Sequence, residues 1–235
     1  MHIKKVLCTF IAMEKKKKFI QGFELFAGSC SLSNALKSKG VQCTSIDIRK
    51  RKGVCEPDLR LDIQKVSSSL LMGIYPNLKV NFMWLGLPCD IWSYASGGFH
   101  LDAEFKPKTQ KAFEHIQLLN KCQALINEIN PVIFFIENPR GKLRHYPPFI
   151  EWLKNNQAFE LQLTMSSYGF PTTKPTSIFT NASGLKFKEL DSFGRGAKCL
   201  SKFENLTTCQ RQKYPVQFVD FITDFICNYN FTTFT

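Results

Sequence analysis

The stretch TQKAFEHIQLLNKCQALINEINPVIFFIENP, residues 109–139, decides the architecture. Phe113, Ile116, Leu119, Cys122, Leu125, Ile126 and Ile129 recur at three- and four-residue steps, which draws one apolar stripe along a helix over 109–129. Asn130-Pro131 ends that helix, because proline lacks the N–H a helix interior needs and its ring clashes there. Residues 132–136, Val-Ile-Phe-Phe-Ile, are β-branched and aromatic without a polar break, the pattern of a strand buried on both faces. Glu137-Asn138-Pro139 follows at once, so polar side chains are delivered to a strand's carboxyl end. Open α/β sheets hold their ligands along that edge.

Outward from this unit the same alternation repeats. Apolar runs at 23–26, 42–48 and 80–85 read as strands, with amphipathic helices at 32–38 and 63–72 between them. Beyond it come a short helix at 149–155, strands at 160–164 and 177–180, and a closing helix at 216–229. Repeated strand, helix and strand predict the α/β class: a doubly wound, mostly parallel sheet with helices on both faces. A chain of 235 residues suits one such domain, expected over 18–235, with residues 1–17 as a basic leader.

Composition narrows the function classes. Hydrophobic residues at 44% and charged residues at 21% exclude wholesale disorder. Lysine and arginine outnumber aspartate and glutamate by 31 to 19, so the surface attracts polyanions, and nucleic acid is the first partner to expect. Nine cysteines, odd in number and without a C-x-x-C pair, predict reduced thiols and a cytoplasmic protein. The apolar run at 6–13 is about half the length that crosses a bilayer, so no membrane partner is expected. No Cys/His spacing suggests a metal site.

Several chemistry-bearing residues fall on the predicted carboxyl edge. Glu24-Leu25-Phe26-Ala27-Gly28-Ser29-Cys30-Ser31 passes from strand through a glycine turn into a helix, and such a turn lets backbone approach a nucleotide-like cofactor. Asp47 ends the next strand, where an acid accepts hydrogen bonds from a ribose. Asp62 reads two ways, as an acceptor for an adenine amine or as a helix N-cap. Gly86-Leu87-Pro88-Cys89-Asp90 follows the strand at 80–85 and sets a thiol on the same edge, placed for nucleophilic attack. Glu137 adds a carboxyl group able to act as a general acid.

In this order these residues resemble the C5 cytosine DNA methyltransferases, and in particular the short members encoded by phages and other viruses, over roughly residues 23–226. The resemblance implies a Rossmann-like methyltransferase fold, S-adenosylmethionine as cofactor, a monomer, and duplex DNA with a flipped cytosine as substrate. Phe26, Ala27, Gly28 and Ser29 look like the cofactor loop, Asp47 and Ile48 the ribose side, and Asp62 and Ile63 the adenine side, with Gly86 and Pro88 completing that site. Pro88-Cys89 resembles the nucleophile dipeptide and Glu137-Asn138 the glutamate-asparagine pair. Carbon 5 of cytosine is too weak a nucleophile unless a thiolate adds at carbon 6, which is the role implied for Cys89. Glu137 would assist at ring nitrogen 3 while Asn138 fixes the loop.

The stretch from Tyr168 to Thr176 is similar to the segment that holds the flipped base and its phosphates, which adds Lys174 to the catalytic set. Ser93, Arg140, Arg144, Lys174, Thr176, Arg195 and Lys198 are expected to meet nucleic acid. Leu87, Pro139, Cys30 and Lys174 depart from the commonest pattern, standing where the family favours proline, valine, glycine and arginine. Only residues 182–211 remain for target recognition, so sequence choice is expected to be relaxed or short. One branch of the family acts on transfer RNA, so RNA stays open as a substrate, as does a nucleic-acid-binding member of the fold without turnover.

Overall fold

A computed structural model describes residues 19–48, 55–188, 206, 207, 210 and 213–231. Strands β1 (Gln21–Leu25), β2 (Gln42–Asp47), β3 (Leu59–Arg60), β4 (Phe82–Gly86), β5 (Ile133–Pro139), β6 (Phe159–Thr164) and β7 (Pro175–Thr180) form one sheet in the order β3-β2-β1-β4-β5-β7-β6. The first five run parallel; β7 is antiparallel to both β5 and β6. Helices are α1 (Ser31–Ser38), α2 (Ser68–Ile74), α3 (Gln110–Ile129), α4 (Pro147–Asn155) and α5 (Val216–Asn228).

Alternation along the strands builds two cores. Phe23, Leu25, Met83, Leu85, Phe134 and Ile136 face α2, α3 and α4, meeting Leu71, Leu119, Leu125 and Phe149. Phe82, Trp84, Ile133, Phe135 and Ile178 face α1 and α5, meeting Leu36, Phe218, Ile222 and Ile226. The predicted doubly wound sheet is therefore observed.

Two local expectations need correction. The helix expected over 63–72 breaks into a 3-10 turn, Ile63–Lys65, and α2. Asp62 and Ser67 each accept a backbone N–H and so begin a new turn, of Gln64 and of Leu70 respectively. In α3, Phe113 leaves the expected stripe and is 48% exposed, because Ala112 takes the buried place and lets the first turn pack closely. The ends of α3 are set as the sequence implies: Thr109 caps Ala112 N–H, and Asn130 turns left-handed at φ 48° before Pro131.

The topology positions the site. Chain order reverses between β1 and β4, whose carboxyl ends lie side by side, the place where doubly wound sheets open a crevice. Gly86 pairs with Glu137, so the loops after β4 and β5 are neighbours. Because β7 runs antiparallel, its beginning meets the end of β5, with Thr176 opposite Pro139. Lys174, just before β7, is thereby carried to the same edge.

Candidate active site

The loop after β1 turns sharply. Phe26, Gly28 and Cys30 all have left-handed backbones, at φ 57°, 54° and 54°. For the two non-glycine residues this costs about 1–2 kcal/mol each, strain of a kind that concentrates at functional sites. Cys30 thus adopts at no steric saving the conformation that a glycine adopts freely, yet its side chain is fully buried. Ala27 N–H donates to Ile46 O at 3.1 Å, and Gly28 N–H donates to Asp47 Oδ2 at 2.9 Å. Asp47 therefore locks the glycine loop, a bond the sequence reading did not foresee. Beneath it, Glu24 is 1% exposed and its Oε2 accepts Ser33 N–H at 2.9 Å in the first turn of α1. Burial pushes Glu24 up to about 7.

Around this loop lie the other predicted cofactor residues. Ser29 is half-buried beside Gly28. Ile48, next to Asp47, is 53% exposed although apolar. Asp62 caps Gln64 N–H at 3.0 Å, which realises the N-cap reading, and Ile63 is buried. A methyl group on Gly28 would meet only Phe26 O, at 3.9 Å, so space is open beside the turn. At Gly86 a methyl would stand 3.2 Å from Tyr214 Oη and 3.3 Å from Phe26 O, so glycine lets both groups close on the end of β4.

Cys89 follows Pro88 in a tight turn whose carbonyl accepts Trp92 N–H at 3.0 Å and Ser93 N–H at 2.9 Å. The thiol is half-buried, and burial first, then the charges of Glu137 and Asp90, push it up to about 11; Lys174 acts in the opposite direction. Asp90 itself pairs outward with Lys111 at 2.6 Å.

The Glu137-Asn138 pair grips this loop. Leu87 N–H donates to Glu137 O at 3.2 Å, and Asn138 Nδ2 donates to Leu87 O at 3.1 Å. The Glu137 side chain is buried and its carboxyl is raised above the usual range, by desolvation chiefly, with Lys174 and a hydrogen bond from Tyr214 opposing. Glu137 Oε1 and Asn138 Oδ1 are buried with no hydrogen-bond partner among the described residues. A buried polar atom left without a partner costs about 1–3 kcal/mol.

Lys174 has φ 34° and its ammonium lies over the rings of Phe170 at 5.3 Å and Tyr214 at 5.7 Å. The buried Thr176 hydroxyl donates to Lys174 O at 3.0 Å and so shapes that turn. Arg140 Nη1 donates to Gln162 Oε1 at 3.3 Å. Arg144 pairs with Glu160 at 3.1 Å, with both side chains mostly buried, which commits its charge to β6. Ser93 caps Ala95 N–H at 3.2 Å on the loop after Cys89. Arg195 and Lys198, with most of 182–211, lie outside the described residues.

Two residues at this edge escaped the sequence reading. Tyr214 Oη donates to Glu137 Oε2 at 3.4 Å and accepts from Trp84 Nε1 at 3.3 Å. Gly141 lies so close to the Cys89 loop that a methyl there would stand 2.3 Å from Trp92 O. The available signals were an aromatic hydroxyl immediately before the closing helix and a glycine following the Glu-Asn-Pro turn.

Among the described residues no group of three or more His, Cys, Asp or Glu could hold a metal ion, and no helix is long and apolar enough to cross a membrane. No protein-family model and no curated protein sequence matches the chain. Among solved structures, a prophage-encoded E. coli protein bearing the name DNA modification methyltransferase is similar over 77% of this chain and 51% of its own, at 16% identity and a TM-score of 0.51. The Entamoeba histolytica methyltransferase EhMeth is similar over 77% of this chain and 58% of its own, at 15% identity and a TM-score of 0.50. The chain thus spans between half and three fifths of the length of these structures. What they share with it is the fold, a doubly wound, Rossmann-like α/β sheet.

Proposed function

We propose that this chain methylates carbon 5 of cytosine in duplex DNA, with Cys89 as nucleophile and S-adenosylmethionine as methyl donor. The observation that carries the reading is the convergence of Cys89, Glu137 and Lys174 on one sheet edge, electrostatically coupled to one another. A pure binding module has no need of a buried acid beside a thiol.

S-adenosylmethionine, when bound, supplies an electrophilic methyl group. The residues that would hold it are the turn Phe26 to Ser29, Asp47 with the exposed Ile48, Asp62 with Ile63, and Gly86 with Pro88. They fit a nucleoside with a charged tail: open space beside Gly28, an apolar side chain exposed at a strand end, and carboxylates for hydroxyl and amine donors.

A cytosine extruded from the duplex would meet Cys89, since carbon 6 is inaccessible within the stack. With its thiol pushed up to about 11, Cys89 is mostly protonated at pH 7, so its proton must pass to solvent water as the base binds. The sulfur adds to carbon 6, and the displaced electron pair is taken up at ring nitrogen 3, which receives the proton held by Glu137. Burial raises the Glu137 carboxyl and so favours its protonated form, and acid assistance of this kind is worth about 100- to 10,000-fold. Protonation of Glu137 would remove one of the charges that raise Cys89. Carbon 5 is then nucleophilic; after substitution its proton passes to solvent water, the freed electron pair restores the C5–C6 double bond and expels the sulfur as thiolate, and the nitrogen 3 proton returns to Glu137. Asn138 holds the loop, and Lys174 sets a positive charge near both acid and thiol.

The single domain at 18–235 would act as a monomer in the cytoplasm, with 182–211 as a reduced recognition segment. Because that segment is short, transfer RNA is the competing substrate. The test incubates the protein with tritium-labelled S-adenosylmethionine and either duplex DNA or transfer RNA, then digests each to nucleosides. Label in 5-methyldeoxycytidine supports the proposal; label in 5-methylcytidine alone moves the substrate to RNA, and label in neither rejects methyl transfer to cytosine.

A further inference from the structure

We infer that Tyr214 is a positioning residue that fixes which oxygen of Glu137 carries the acid's proton. The inference rests on Glu137 acting as the acid in the reaction proposed above.

Indole Nε1 is a donor only, so in the contact Trp84 Nε1 to Tyr214 Oη, at 3.3 Å, the tyrosine must accept. Its single hydrogen is then directed to Glu137 Oε2, at 3.4 Å. In the direction the structure assigns, Oε2 is the acceptor, and a proton on Glu137 then sits on Oε1. That is the oxygen left buried without a partner among the described residues. Once Oε1 has given its proton to the base, charge spreads onto Oε2, and the Tyr214 bond strengthens as that charge develops.

The fold holds this relay rigidly. Trp84 is fully buried in β4 and packs on Phe135 at 5.3 Å and Phe218 at 6.1 Å, while the Tyr214 ring meets Trp84 edge-on at 5.9 Å and Phe218 at 5.5 Å. Gly86 makes room for the hydroxyl. Around Glu137 the titratable groups are Lys174 before β7, Cys89 after β4 and Tyr214 before α5. The Tyr214 phenol is itself held well above 10 by burial and by Glu137, so it remains a donor at every working pH.

The test is Tyr214→Phe, which keeps the ring packing and removes only the hydroxyl. Infrared difference spectra against Glu137→Gln isolate the carboxylic acid C=O band of Glu137 without any substrate. With the proton on Oε1, that C=O is Oε2, so loss of the tyrosine hydrogen bond is expected to move the band to higher wavenumber. Single-turnover methyl transfer to DNA is expected to slow by about 10- to 100-fold while the KM values for DNA and S-adenosylmethionine stay within about twofold. An unmoved band overturns the inference, whatever the rate does. A shifted band in a protein that methylates no cytosine sustains the bond's direction but removes its catalytic purpose, and so overturns the positioning role through the parent reading alone.

Discussion

Glu24 makes the fold's stability pH-dependent in a way that one substitution isolates. The carboxyl lies 1% exposed beneath the glycine loop and is raised from 4.5 to about 7 by desolvation. The folded chain therefore holds this proton more tightly than the unfolded chain does. Its contribution is fully present below about pH 4.5, fades as the pH rises, and is lost above about 7. At about 1.4 kcal/mol per tenfold change in proton affinity, the parent chain loses about 2–3 kcal/mol from this group between pH 5 and pH 8. Glu24→Gln keeps an oxygen for Ser33 N–H and removes the charge. Its new amide hydrogens impose a constant offset of about 1 kcal/mol or more, but that offset does not vary with pH. Urea unfolding followed by circular dichroism at pH 5, 6, 7 and 8 is expected to show the variant gaining on the parent by about 2–3 kcal/mol across the series. Parallel stability curves for the two proteins would refute the reasoning.

The remaining predictions concern the Cys89 loop. With its thiol near 11 against an ordinary 9.0, Cys89 is expected to react with iodoacetamide at pH 7 about a hundredfold more slowly than a thiol in an unfolded peptide, with labelling located by peptide mass. Gly141→Ala must push Trp92 and Ser93 backbone away, because its Cβ would stand 2.3 Å from Trp92 O and 3.3 Å from Ser93 Cα. It is expected to cost about 1–3 kcal/mol in urea unfolding and to alter the Cys89 labelling rate. Asn138→Ala strands Leu87 O in the interior, and the same unfolding assay is expected to register a loss of about 1–3 kcal/mol.

The sheet was legible wherever burial wrote an uninterrupted pattern. Residues 132–136 could only be a two-faced strand, and the polar pair behind them had to fall at its carboxyl end, as it does. Asp47 was placed correctly at the end of β2, but the bond to Gly28 N–H depends on how a left-handed loop folds back, which no periodicity encodes. The break at Ser67 was masked because residues 63–72 keep a helical spacing while two side-chain caps compete for the backbone. Lys174 reaches the site only because β7 inserts antiparallel between β5 and β6, a matter of sheet order rather than local propensity. Tyr214 lies 77 residues from Glu137 along the chain, and its role exists only in the packed structure.

The central claim is that Cys89 forms a covalent bond to cytosine during methyl transfer, and duplex DNA containing 5-fluorocytosine tests it most directly. Fluorine cannot depart as a cation, so a methylated base stays bound to the sulfur. A shifted band on a denaturing gel is expected that needs S-adenosylmethionine and disappears in Cys89→Ala. Absence of that band on DNA and on RNA carrying the same analogue, or its persistence in Cys89→Ala, would contradict the account.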